Sequence, residues 1–144
     1  MDDPLHLKNQ ACFPVYNLSR EITSRYRPFL DELGITYPQY LVLMVLWEAE
    51  PQCVNEIGCK LHLDSGTLTP LLKRLQAKGF IIRTRKSCDE RVVEINLTEA
   101  GRALKIEAAS VPQKVMEAMN VTAEELSELK EVVLKILNKQ SCNS

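Results

Sequence analysis

Five cysteines, Cys12, Cys53, Cys59, Cys88 and Cys142, are the most reactive side chains in this 144-residue chain. Their count is odd and no two form a CxxC pair. They therefore spell neither a disulfide framework nor a redox dithiol. Cys53 and Cys59 lie on or beside a short helical stretch and read as packing residues, since free cysteine behaves as a small hydrophobe. Cys59 and His62 have an i, i+3 spacing that suits a metal, but two ligands do not make a site, and no metal or cofactor is expected. Cys88 falls at a charged hairpin tip, where oxidation would disturb whatever the tip touches.

A second set of polar residues is concentrated between Leu63 and Leu97. From Asp64 to Arg91 there are seven Lys/Arg against three Asp/Glu, a local +4. The net charge of the chain is −1, so the remainder carries −5. A basic face on an acidic body is an electrostatic footprint for phosphates, even though the pI of about 6.1 is not. Ser65, Thr67 and Thr69 offer hydroxyls and methyls near a helix start, where backbone N–H groups also favour phosphate. Lys73 and Arg74 supply charge further along. Arg83, Arg85 and Lys86, then Asp89 and Arg91, belong to a hairpin. An arginine there gains from the negative potential of a narrow minor groove, and Asp89 can hold Arg91 in one rotamer by a charge-assisted bond.

Those side chains need elements to aim them. Residues Leu7 to Leu33 show apolar residues at helical spacing, with Pro14 in the first turn or at a kink, and Gly34 as a stop. Thr36 reads as an N-cap with Pro38 in the first turn. Tyr40 to Glu50 is apolar almost all round, so that helix should be buried. Val54, Ile57 and Leu61 mark a short third helix. Asp64 or Thr67 caps a fourth, whose stripe is Leu68, Leu71, Leu72 and Leu75, and whose polar side includes Lys73, Arg74 and Lys78. Pro70 is expected early in it, where a missing N–H costs least. Ile81 to Arg85 and Val93 to Leu97 alternate as strands. Thr98 opens a helix that Pro112 bends or divides, and Thr122 with Glu125 is a capping box for the last one.

The order of four helices, two strands and two helices predicts a mainly α (α+β) fold, a winged helix-turn-helix. One helix would enter the major groove of double-stranded DNA and a β-wing the neighbouring minor groove. Residues 35–98 would form that reading domain. Residues 1–34 and 99–144 are amphipathic helices without a partner in so small a domain, and a second copy would cover them. No apolar run approaches the roughly 18 residues that span a bilayer. The start, MDDPLHLKNQ, is too acidic for a signal peptide, so a cytosolic protein without membrane contact is expected.

The stretch LDSGTLTPLLKRLQAKGFIIRTR, followed by DER and LTEAG, resembles the MarR family of winged-helix transcriptional regulators. With TYPQYLVLMVLWE upstream, it is more similar to the organic-hydroperoxide-sensing, OhrR-type repressors and their staphylococcal relatives. The resemblance covers nearly the whole chain. It implies a homodimer on a pseudo-palindromic operator, and no enzymatic turnover. In NQACFPVYNLSREITSRY it places Cys12 at the family's reactive cysteine. The tyrosines at Tyr26 and Tyr37 match those whose hydroxyls hydrogen-bond that sulfur, and Tyr16 lies nearby. A peroxide is attacked by thiolate rather than thiol, which is why phenol donors beside the sulfur matter. The sulfenic acid formed must be trapped before it over-oxidises. The trap is either a low-molecular-weight thiol or a second cysteine, for which Cys142 is the C-terminal candidate. In a competing reading, Cys12 is idle and a phenolic or aromatic ligand in the dimer cleft is the signal. A thiol peroxidase lacks support in the absence of a CxxC or βαβ pattern, and a winged helix for protein contacts alone is at odds with the basic wing.

Overall fold

A computed structural model describes residues 3–86 and 89–140, without the side chains of Lys86, Asp89, Glu90 and Arg91. A 3₁₀ turn, Leu7–Asn9, precedes seven α-helices: α1 Cys12–Leu33, α2 Tyr37–Glu48, α3 Val54–Leu61, α4 Ser65–Ala77, α5 Glu99–Ala108, α6 Val111–Met119 and α7 Ala123–Lys139. Three strands, β1 Gln52–Cys53, β2 Ile81–Lys86 and β3 Asp89–Leu97, form one antiparallel sheet in the order β1-β3-β2. This is the winged helix-turn-helix that the pattern of elements predicts.

Local signals set most boundaries. Gly34 ends α1 in the left-handed region at φ 73°, and its N–H returns to Asp31 O. Thr36 and Gln39 form a reciprocal capping box at the start of α2. Thr122 and Glu125 do the same for α7. The helix opened by Thr98 is divided: α5 stops at Ala108, and α6 restarts with Pro112 in its first turn, where its missing N–H costs nothing.

Three expectations need correction. Pro70 lies inside α4 because Asp64, not Thr67, is the N-cap, so the proline forfeits the bond to Gly66 O in the second turn. Burial of Leu68, Leu71, Leu72 and Leu75 outweighs that loss. α1 likewise runs through Pro28, and begins only at Cys12, with Pro14 in its first turn and no interruption. Cys59 is exposed rather than packed.

The core lies where α2, α3 and α4 meet the sheet and α5. Leu43, Leu46, Ile57, Leu68, Leu72, Leu75, Ile81 and Ile95 are buried there. α2 contributes Tyr40, Val42, Leu43, Val45 and Leu46 to it, as its all-round apolar sequence requires. α1 packs along α6 and α2. No helix among the described residues is long and apolar enough to cross a membrane.

Candidate DNA interface and cysteine–tyrosine site

The reading helix is presented by a tight turn. α3 ends with His62 in the left-handed region at φ 56°, and Leu63 N–H returns to Gly58 O at 2.9 Å. Asp64 then caps α4: its Oδ1 accepts the Thr67 N–H at 2.7 Å. The Thr67 backbone N–H, and after it the Thr67 hydroxyl, hold the Asp64 carboxyl below its usual range. The cap thus stays anionic while Ser65, Thr67, Lys73 and Arg74 stand exposed on the helix.

The wing is bound to that helix. Gln76 Oε1 accepts from both Arg83 N–H, at 3.0 Å, and Arg83 Nε, at 3.1 Å. Ser65, Thr69 and Arg83 line one cleft of 220 Å³ between helix and wing. Arg85 is exposed further along β2. The register pairs Arg85 with Val93 and Lys86 with Asp89, with an irregularity between the two pairs. The side chains of Lys86, Asp89 and Arg91 lie outside the described residues, as do Cys88 and Cys142. Pro70 is exposed on α4.

The second site is aromatic. Tyr26 of α1 meets Tyr37 of α2 with ring centroids 4.8 Å apart, and Tyr40 adds a third ring at 5.7 Å from Tyr26. Burial first, then Tyr37 and Tyr40, pushes the Tyr26 phenol up from 10.0 to about 12. Burial raises Tyr37 as well, and burial followed by Tyr37 raises Tyr40. All three therefore remain protonated hydrogen-bond donors throughout the neutral range. Tyr40 was hidden in the apolar run that marks α2 as buried. The i, i+3 spacing of Tyr37 and Tyr40 was the available signal.

Cys12 and Tyr16 are not part of this cluster within one chain. Cys12 is exposed as the first residue of α1, and Tyr16 is 61% exposed with Arg20 over its ring. Cys12 and Tyr26 are 14 positions apart on one helix, which is about 21 Å at 1.5 Å per residue. A covalent helix of that length forbids contact between them in the same chain. Tyr26 packs on the core, whereas the chain around Cys12 leaves Leu7, Phe13 and Val15 exposed.

A fold of this kind with a basic reading helix and wing defines a DNA-binding transcriptional regulator. The family model of the transcriptional regulators SarA/Rot matches residues 24–108. The organic hydroperoxide resistance transcriptional regulator of Bacillus subtilis is 47% identical over 94% of this chain and 92% of its own length. Reduced AbfR bound to DNA, a protein of Staphylococcus epidermidis, superposes with a TM-score of 0.77 at 39% identity, covering 93% of this chain and 94% of the other. Disulfide-formed AbfR superposes with a TM-score of 0.64 at 42% identity, covering 91% and 92%. The chain belongs to the SarA/Rot-type winged-helix transcriptional regulators of the MarR group.

Proposed function

We propose that this protein is a homodimeric, DNA-binding repressor that leaves its operator when an organic hydroperoxide oxidises Cys12. The observation that carries this reading is the separation of an exposed Cys12, at the start of α1, from the cluster of protonated phenols that Tyr26 of the same helix forms with Tyr37 and Tyr40 of α2. Two antiparallel α1 helices crossing near Ser19 put one chain's Cys12 opposite the partner chain's Tyr26. The exposed Leu7, Phe13 and Val15, together with α7, supply the apolar surface for such a pairing. Residues 1–34 and 99–144 are then the dimerisation helices, and 35–98 the reading domain. The redox chemistry of the relatives, named for hydroperoxide resistance and solved in reduced and disulfide forms, supports the same reading.

The step balances simply. Phenol O–H groups of Tyr26 and Tyr37 stabilise the Cys12 thiolate by donating to it. The thiolate attacks the terminal oxygen of ROOH; an S–O bond forms and the O–O bond breaks. Alkoxide leaves and is protonated to ROH, while sulfur is oxidised by two electrons to the sulfenic acid. A second thiol, either a small molecule or Cys142 of the partner subunit, condenses with it to a disulfide and releases water. The enlarged group no longer fits among the rings, and the two reading heads lose their spacing.

On DNA, α4 enters the major groove with Ser65, Thr67 and Thr69 near the base edges. Asp64 caps the helix start, Pro70 stands exposed in its second turn, and Lys73 and Arg74 meet phosphates. Arg83, Arg85, Lys86, Asp89 and Arg91 serve the wing. A second reading, an aromatic effector, draws on the 310 Å³ cleft lined by Thr23, Arg27, Asp31 and Tyr37. A mobility-shift assay with the gene's own upstream DNA, with and without cumene hydroperoxide, separates the two. Release of the wild type but not of Cys12→Ser is expected; release of Cys12→Ser by peroxide contradicts the redox reading.

A further inference from the structure

Besides the core packing of α4 on α2, one polar side chain ties the end of the reading helix to the α1–α2 junction beside Tyr37. Lys78, the residue that closes α4, reaches across to the α1–α2 junction. Its Nζ donates to Gly34 O at 2.7 Å and to Gln39 Oε1 at 2.8 Å. Gly34 is the left-handed cap of α1, the helix that carries Cys12 and Tyr26. Gln39 is 2% exposed, and the same Oε1 accepts the Thr36 N–H at 3.0 Å. Thr36 is the residue before Tyr37. A displacement of Tyr37 therefore moves an oxygen that holds the end of the reading helix.

We propose that Lys78 is the positioning residue that transmits a change at the tyrosine cluster to α4, an inference that rests on the redox reading above. Its role is separable from stability. Without the lysine, Gln39 Oε1 retains the Thr36 N–H, and Gly34 O, on an exposed residue, is open to water. No buried polar atom is left unpaired by its removal. The tie is also remote from the hydroxyls of Thr69, Thr67 and Ser65, which lie nine, eleven and thirteen positions away along the helix, about 14–20 Å. A coupling path is established only when both sites are shown to bias it, and the experiment is built on that condition.

The full-length dimer is prepared as wild type, Lys78→Met, Lys78→Arg and Cys12→Ser. Operator affinity is measured reduced and after cumene hydroperoxide, alongside the rate of Cys12 sulfenic acid formation. For the wild type, oxidation should weaken binding roughly tenfold or more. Lys78→Met should keep its reduced affinity within about threefold and oxidise at the wild-type rate, yet lose most of the oxidation-induced factor; Lys78→Arg should restore it. Hydrogen exchange of the Leu75 to Gly79 amides, read without DNA, should change on oxidation in the wild type and not in Lys78→Met. An oxidation factor in Lys78→Met equal to that of the wild type, including equal weakening of both forms, overturns the proposal, as does an exchange response equal to the wild type's. A wild type that oxidises at Cys12 but keeps its affinity overturns the redox reading itself.

Discussion

α4 and α7 are built on the same pattern and meet opposite fates. α4 carries Leu68, Leu71, Leu72 and Leu75 at helical spacing and buries all four. α7 carries Leu126, Leu129, Val133 and Leu137, also at intervals of three and four, and buries none; Leu129 and Val133 are each 38% exposed and Leu137 50%. The difference is not one of sequence chemistry. α4 faces α2, α3 and the wing within its own chain, whereas nothing described in this chain covers α7. An apolar stripe that a single chain leaves open is a demand for another surface. The reading half is thus packed within one chain, whereas α7 leaves its apolar stripe open; on the proposed reading a second copy covers that stripe and completes the site between Cys12 and the tyrosines.

The sharpest break of that contrast is on α7. Val133→Glu combined with Leu137→Glu should dissociate the dimer and leave each reading head intact. Losing the linkage between two half-sites costs roughly a hundredfold or more in operator affinity. Sedimentation and DNA titration check this: a variant that remains dimeric with wild-type affinity removes α7 from the interface. A smaller effect is expected in the reading half. A Cβ on Gly58 would stand 2.7 Å from Leu63 O, at the turn that aims α4. Gly58→Ala should therefore destabilise the fold by about 1–3 kcal/mol without changing the oligomeric state. An unchanged melting temperature would show that the turn is not so tightly packed.

The mildest effect is with pH. The folded Tyr26 phenol binds its proton more tightly than the unfolded one, at about 12 against 10.0. The stability it contributes is fully present below pH 10 and is lost as pH rises from there toward 12. Denaturant unfolding across that window should show falling stability in the wild type and a shallower fall in Tyr26→Phe; identical slopes would contradict a buried phenol.

Local features were readable in advance where their cause is local. The capping residues Thr36, Asp64, Thr98 and Thr122, the stripe of α4 and the alternation of β2 and β3 all announce themselves within a few residues. β1 did not, because two residues carry no periodicity; Gln52 and Cys53 become a strand only by pairing with Ile95 and Glu94. The position of Pro70 turned on which of two competent caps wins. The outward face of α4 was legible from the placement of its leucine stripe, and Tyr26 and Tyr37 were brought together through the family resemblance. The cleft shared by Thr69 and Arg83, and the tie from Lys78 to residues 39 and 44 positions away, were not, since no spacing rule links them.

The central claim is that the sensor is split between two copies, and mixed dimers test it most directly. One preparation pairs a Cys12→Ser chain with a chain carrying Tyr26→Phe and Tyr37→Phe. The other pairs a wild-type chain with a chain carrying all three substitutions. Composition is identical, and only the arrangement differs. With the site shared between chains, the first pairing retains one complete site and should form sulfenic acid at about half the wild-type amplitude and at the wild-type rate, while the second should react slowly. Fast reaction in the second pairing and slow reaction in the first would place Cys12 and its phenols in the same chain and contradict the account.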